Sequence, residues 1–307
     1  MRHDDDGARQ SGPDKDGKRP GVVRALGLGV VTGACDDDPS AIGTYASAGA
    51  SLGPSFLWTA PVTFPMMYAV VYLSSKLGQV SGKGLFHNLK DHYPKRLLWP
   101  TLIGVLIGNT IEAGADLGGM AAAINLFVPL PIPVLVVAVA AAILALQVFV
   151  SYELIRNVFR WLALALLAYV GAAVLAKPDI GEVLWGTLVP KIEFSREFLS
   201  MLVAVIGTTL SAYLYTWQSN VEVEEEILKG RTTVEARKGA SDEELAHARR
   251  DILTGMAFSN IIMYFIILAT ASTLFKAGKT DISSAAEAAE ALRPLAGNAA
   301  GALFAIA

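Results

Sequence analysis

The sequence predicts an all-α integral membrane protein of the inverted five-plus-five type, with discontinuous helices 1 and 6 and an incomplete second repeat. Three observations predict it. Of 307 residues, 53% are hydrophobic and 17% charged, against roughly 25% charged in an average soluble domain. The charges gather in short blocks between apolar runs, many near the ~20 residues that cross a ~30 Å hydrocarbon core. The first and sixth runs are interrupted, as expected where an inverted repeat builds its site from broken helices.

Residues 1 to about 20 are polar, charged and punctuated by Gly and Pro, so they read as a disordered tail rather than a cleavable leader. Apolar spans follow at roughly 22–50, 55–75, 97–128, 133–152, 157–176, 198–220 and 251–275, and an eighth begins near Leu295. The chain stops inside that eighth span, so it is expected to be a truncated form of a longer protein. The transporter domain is expected over 21–307, with a first repeat over about 21–177 and a partial second repeat over about 197–307.

Orientation follows from Lys and Arg, which accumulate on the cytoplasmic side. With the tail inside, 19 of the 25 fall in inside segments; Lys177, Lys191, Arg196, Lys276, Lys279 and Arg293 are the 6 outside. The N-terminus is therefore expected in the cytoplasm, and the membrane to be the plasma (inner) membrane. A net charge of -3 leaves no basic stripe for nucleic acid. The single cysteine, Cys35, excludes an internal disulfide framework.

The first span carries Asp36-Asp37-Asp38-Pro39. Proline removes a donor and clashes with the preceding turn, and a carboxylate at the membrane centre costs about 2.5–3.5 kcal/mol on insertion scales. Unwinding there exposes carbonyl oxygens beside a carboxylate, a hard cation site. The competing reading starts the helix after Pro39 and leaves the aspartates interfacial, but then 22–35 is too short to span alone. Successive residues on a helix point about 100° apart, so the three cannot all face one ion. Asp38, beside the break, is the favoured ligand; Asp36 and Asp37 are assigned to the backbone of the unwound turn or to the entry path.

The sixth span has Gly207, Thr208, Thr209 and Ser211 at its centre, residues that permit unwinding and offer oxygen. In the third, Glu112 and Asp116 share a helix face, and read either as an ion path or as supports for the broken helix. Glu222, Glu224, Glu225 and Glu226 read either as a cation-concentrating mouth or as a solvated helix end balanced by later Lys and Arg. Cys35 suits a small buried hydrophobe better than a soft ligand. Tyr213, Tyr215 and Trp217 suit packing or an interfacial belt. His3, His87, His92 and His247 lie in the tail or loops, so no histidine pair sits at metal-ligand spacing in a span.

The stretch GLGVVTGACDDDPSAIGTYASAGASLG, followed by LSSKLGQVSGKGL, resembles the first two helices of the Nramp family of divalent metal transporters. In that family the first helix breaks at Asp-Pro-Gly-Asn. IGTTLSAYLYTWQS is similar to the family's Ile-Gly-Ala-Thr-Val-Met-Pro-His segment, and Ala115-Asp116-Leu117-Gly118-Gly119 to its Asp-Leu-Ala-Glu helix. The resemblance implies a LeuT-type fold, alternating access, and a divalent cation as substrate with no cofactor. Its metal site falls on Asp38, Ala41, Thr208 and Ser211, with Asp36, Asp37, Glu112, Asp116 and Gln218 as further shell or ion path. Ser211 stands where the family has a soft methionine, which makes the site oxygen-only and favours Mg2+ or Mn2+, with Fe2+ a third candidate. Gly119, Tyr213 and Gln218 stand where the family has proton-coupling Glu and His, which puts proton symport in doubt. Two other readings carry less: a sodium-coupled organic-solute symporter, whose anionic or zwitterionic solute three aspartates would repel, and a Mg-dependent prenyltransferase, which would need basic residues beside the diphosphate.

Overall fold

The computed structural model describes residues 33–150, 163–282 and 284–289. The tail, most of the first span before the break, 151–162 of the fourth and fifth spans, and the span near Leu295 lie outside these residues. The described residues form helices without strands. In order they are α1 (Pro39–Leu52), α2 (Thr59–Ser81), α3 (Leu85–His92), α4 (Lys95–Asn125), α5 (Ile132–Phe149) and α6 (Leu167–Leu175). These are followed by α7 (Ile180–Leu188), α8 (Arg196–Thr209), α9 (Ala212–Leu228), α10 (Val234–Arg237) and α11 (Asp242–Thr270).

The boundaries follow from local chemistry. Ser195 and Asp179 cap α8 and α7 by accepting the N–H of the residue three positions on. Ser241 and Glu244 form a reciprocal capping box at the start of α11. α2 ends at Gly82, whose φ of 65° is the left-handed conformation that glycine adopts without strain. There the turn docks on α10: the Arg237 guanidinium, itself buried, donates to the Gly82 carbonyl (3.2 Å) and to the carbonyls of Arg231 and Thr232.

Among the described residues four helices are long and apolar enough to cross a membrane, or five if the pair meeting at 115° between Phe56 and Thr59 counts as one span. α11 is the centre, packed by α1, α2 and α6. α4 and α5 turn large apolar side chains such as Ile111, Val137 and Leu144 outward. In hydrocarbon this costs nothing, so helices associate through close backbone approach instead. Accordingly a Cβ on Gly49 would lie 2.1 Å from Thr270 Oγ1 and 2.4 Å from the Ile267 carbonyl, and one on Gly33 would lie 2.1 Å from the Gly255 carbonyl. Only glycine lets the two halves of the first helix lie this close to α11.

The sixth span runs beyond its apolar stretch, to Leu228, because its acidic turn is only partly solvated. Glu226 is buried and paired with Lys229 (2.8 Å) and Arg231. Glu222 accepts from Ser75 (2.6 Å), Gln79 (2.8 Å) and Gln218 (2.8 Å). Solvation is therefore corrected for these two glutamates, whereas the expected balance by later Lys and Arg is present at Glu226.

Candidate metal-ion site

The first helix is broken at the aspartates. Residues 33–36 are helical, 37 and 38 are not, and α1 starts at Pro39. The sequence enforces this. A residue before proline is pushed out of the helical region, and Asp38 is extended with ψ 170°. Proline has no N–H to lose at the first helical position, and aspartate is a strong N-cap. Asp38 Oδ1 accepts from the Ala41 N–H (2.8 Å) and the Ser40 hydroxyl (2.8 Å). Both contacts fall on one oxygen of the carboxylate.

Asp38 faces a cavity of about 250 Å³ lined also by Cys35, Asn109, Glu112, Ala113, Asp116 and Tyr213. Ser40 ties two of these walls together, because its N–H donates to Asp116 Oδ1 (3.1 Å) while its hydroxyl serves Asp38. α4 can approach the break because position 119 is glycine: a Cβ there would lie 2.7 Å from Pro39 Cβ. The cavity thus gathers, among the described residues, three carboxylates and one amide, with no basic residue in its lining. Among the described residues no three His, Cys, Asp or Glu side chains converge as a ready-made metal site.

The sixth span is broken too. α8 ends at Thr209, Leu210 leaves helical geometry (φ -114°, ψ 40°), and Ser211 is extended and caps α9 by accepting from Leu214 N–H (3.4 Å). The two breaks are near each other: Tyr45 on α1 hydrogen-bonds Thr209 (3.0 Å), and Tyr213, the second residue of α9, shares the cavity with Cys35 and Asp38.

The structure therefore brings Asp38, Glu112 and Asp116 together. It does not put Thr208, Ser211 or Gln218 in the cavity lining. Thr208 is half-buried in the last turn of α8, Ser211 caps α9, and Gln218 is a hydrogen-bond donor to Glu222. Ala41 is buried, has no side-chain donor atom, and commits its N–H to Asp38. Asp36 and Asp37 point away from the cavity, toward Ser259 on α11. Asn109 and Tyr213 were not legible as site residues. Asn109 sits one turn before Glu112 on the same face, which is a usable signal; Tyr213 is signalled only by its place just after the second break.

The break in the first span thus opens on an acidic cavity, and Tyr213, just beyond the break in the sixth span, forms part of its wall. The family model described as Nramp, natural resistance-associated macrophage protein-like, matches residues 29–307. The chain belongs to the Nramp family. Members of that family are membrane metal transporters, not enzymes. Among solved structures, a mutant of the Eremococcus coleocola manganese transporter is similar with a TM-score of 0.63 at 18% identity. The match covers 97% of this chain and 64% of that one, so the chain spans less than two thirds of its structural relative. At that identity the likeness establishes the fold, a LeuT-type membrane architecture with discontinuous helices.

Proposed function

We propose that this Nramp protein moves a divalent cation, Mg2+ or Mn2+ with Fe2+ as a third candidate, across the membrane by alternating access, with Asp38 as its principal ligand. One observation carries the reading: Asp38 stands at the helix break and faces a cavity walled by Glu112, Asp116 and Asn109. Intramembrane carboxylates around a space able to hold water suit a hard, partly hydrated cation. Ser211 and the carbonyl of Thr208 flank the second break and complete the shell when the breaks close on the ion. The metal is the substrate, and no cofactor enters the reading.

Proton co-transport is left out of it, because Gly119, Tyr213 and Gln218 replace the groups to which the family resemblance assigns that role. The excess of Lys and Arg on one side supports a cytoplasmic N-terminus and insertion in the plasma membrane. The likeness of the first and sixth breaks supports a first repeat over about 21–177 and a partial second over about 197–307.

Uptake of Mn2+ and Mg2+ into proteoliposomes tests the site. Asp38→Ala is expected to abolish it; uptake at the unsubstituted rate would remove Asp38 from the site. A pH-sensitive dye trapped inside tests coupling, and an inward proton flux accompanying the metal would overturn the uncoupled reading.

A further inference from the structure

The three consecutive aspartates divide between two places. Asp38 opens on the cavity, whereas Asp36 and Asp37 turn against α11. Their side chains are 2% and 4% exposed. They meet at one hydroxyl: Ser259 Oγ lies 3.2 Å from Asp36 Oδ2 and 3.3 Å from Asp37 Oδ1. A hydroxyl carries one hydrogen, so it cannot fully serve both acceptors at once. The other two oxygens, Asp36 Oδ1 and Asp37 Oδ2, are enclosed and have no hydrogen-bond partner among the described residues.

Among the described residues no cation is paired with these two carboxylates. The charged groups acting on this pair are other carboxylates, Asp38 and Glu112 among them. Gly33, one turn before Asp36, lies against the Gly255 carbonyl, one turn before Ser259. The segment is therefore held against α11 by backbone approach, and the carboxylates are enclosed in that seam. Buried carboxylates persist when paired or when they coordinate a metal.

We infer that Asp36, Asp37 and Ser259 form a second cation position, separate from Asp38, which takes a hard cation through oxygen ligands. The ion there is resident rather than carried: it neutralises the pair and fastens the segment before the break to α11. The ligand chemistry suits either a divalent ion such as Mn2+ or a monovalent ion such as Na+.

The test counts ions on the purified protein in detergent. Mn2+ bound at equilibrium is measured by metal analysis, alongside thermal unfolding in NaCl against choline chloride. The unsubstituted protein is expected to bind two Mn2+, D36N/D37N one and D38A one, the last two losing different equivalents. If the resident ion is Na+, NaCl stabilises the unsubstituted protein and D38A but not D36N/D37N. Ser259→Ala, the milder change, is expected to weaken the same effect several-fold, and serves where the double variant fails to fold by circular dichroism. The inference is overturned if D36N/D37N and Ser259→Ala match the unsubstituted protein in both measurements, or if the unsubstituted protein binds a single Mn2+ that D38A loses, with no Na+ effect in any variant. Loss in D36N/D37N but not in D38A would instead refute the Asp38 assignment and leave this one standing.

Discussion

Gly119→Ala is the sharpest test of how α4 meets the broken helix. The added Cβ would lie 2.7 Å from Pro39 Cβ, whereas carbon atoms pack best at about 3.5–4.0 Å. Pro39 is a ring locked to the backbone, so it cannot swing aside, and α4 must retreat by about 1 Å. The Ser40 N–H to Asp116 bond, now 3.1 Å, then stretches beyond hydrogen-bonding distance. Overpacking of this kind costs about 1–3 kcal/mol, and loss of a hydrogen bond to a carboxylate about 1.5–3 kcal/mol. The neighbouring Gly118 provides the control, since its Cβ would meet nothing within 4 Å. Alanine there is expected to be neutral or stabilising by up to about 1 kcal/mol through helix propensity. The assay is paired: thermal unfolding in detergent, and Mn2+ affinity. Gly119→Ala is expected to unfold several degrees below Gly118→Ala and to bind Mn2+ at least about tenfold more weakly, the equivalent of about 1.4 kcal/mol. Equal behaviour of the two variants would refute the contact between α4 and the break.

Two further outcomes are expected. Ser211→Met exchanges a hard oxygen for a thioether, so Cd2+ and Mn2+ should gain on Mg2+ in competitive uptake, about tenfold for a gain of about 1.4 kcal/mol; an unchanged ratio would remove position 211 from the site. The Lys83 ammonium, hydrogen-bonded to Asp91, holds that carboxyl below its ordinary value. A depressed carboxylate contributes stability above its unfolded value, about 3.9, and loses it as pH falls through the folded value. Thermal unfolding between about pH 5 and 3 should therefore decline slightly less in Asp91→Asn, and a steeper decline would reverse the sign of the argument.

Much of the architecture was legible because membrane solvation writes itself into the sequence. Apolar length marks the spans, and Asp38-Pro39 forces the first break by local backbone chemistry alone. The 3.6-residue period put Glu112 and Asp116 on one face without any tertiary information. Side-chain destinations were not legible in the same way. Gln218 and Glu222 looked like an ion path and a helix end, yet they join Ser75 and Gln79 across α2 and α9. Glu226 looked solvated but is buried against Lys229 and Arg231, because α9 continues past its apolar run.

The acidic run at 36–38 separates the two kinds of information most clearly. The sequence by itself determined that the helix breaks there, since proline geometry and aspartate capping act within one turn. It also determined that the three side chains diverge. Which direction each one takes depended on what α4 and α11 bring to the break. α4 supplies Gly119 and Asp116, so Asp38 opens on an acidic cavity. α11 supplies Gly255 and Ser259, so Asp36 and Asp37 are enclosed. Those partners lie some 80 to 220 positions along the chain, beyond the reach of any local period, and only packing selects them.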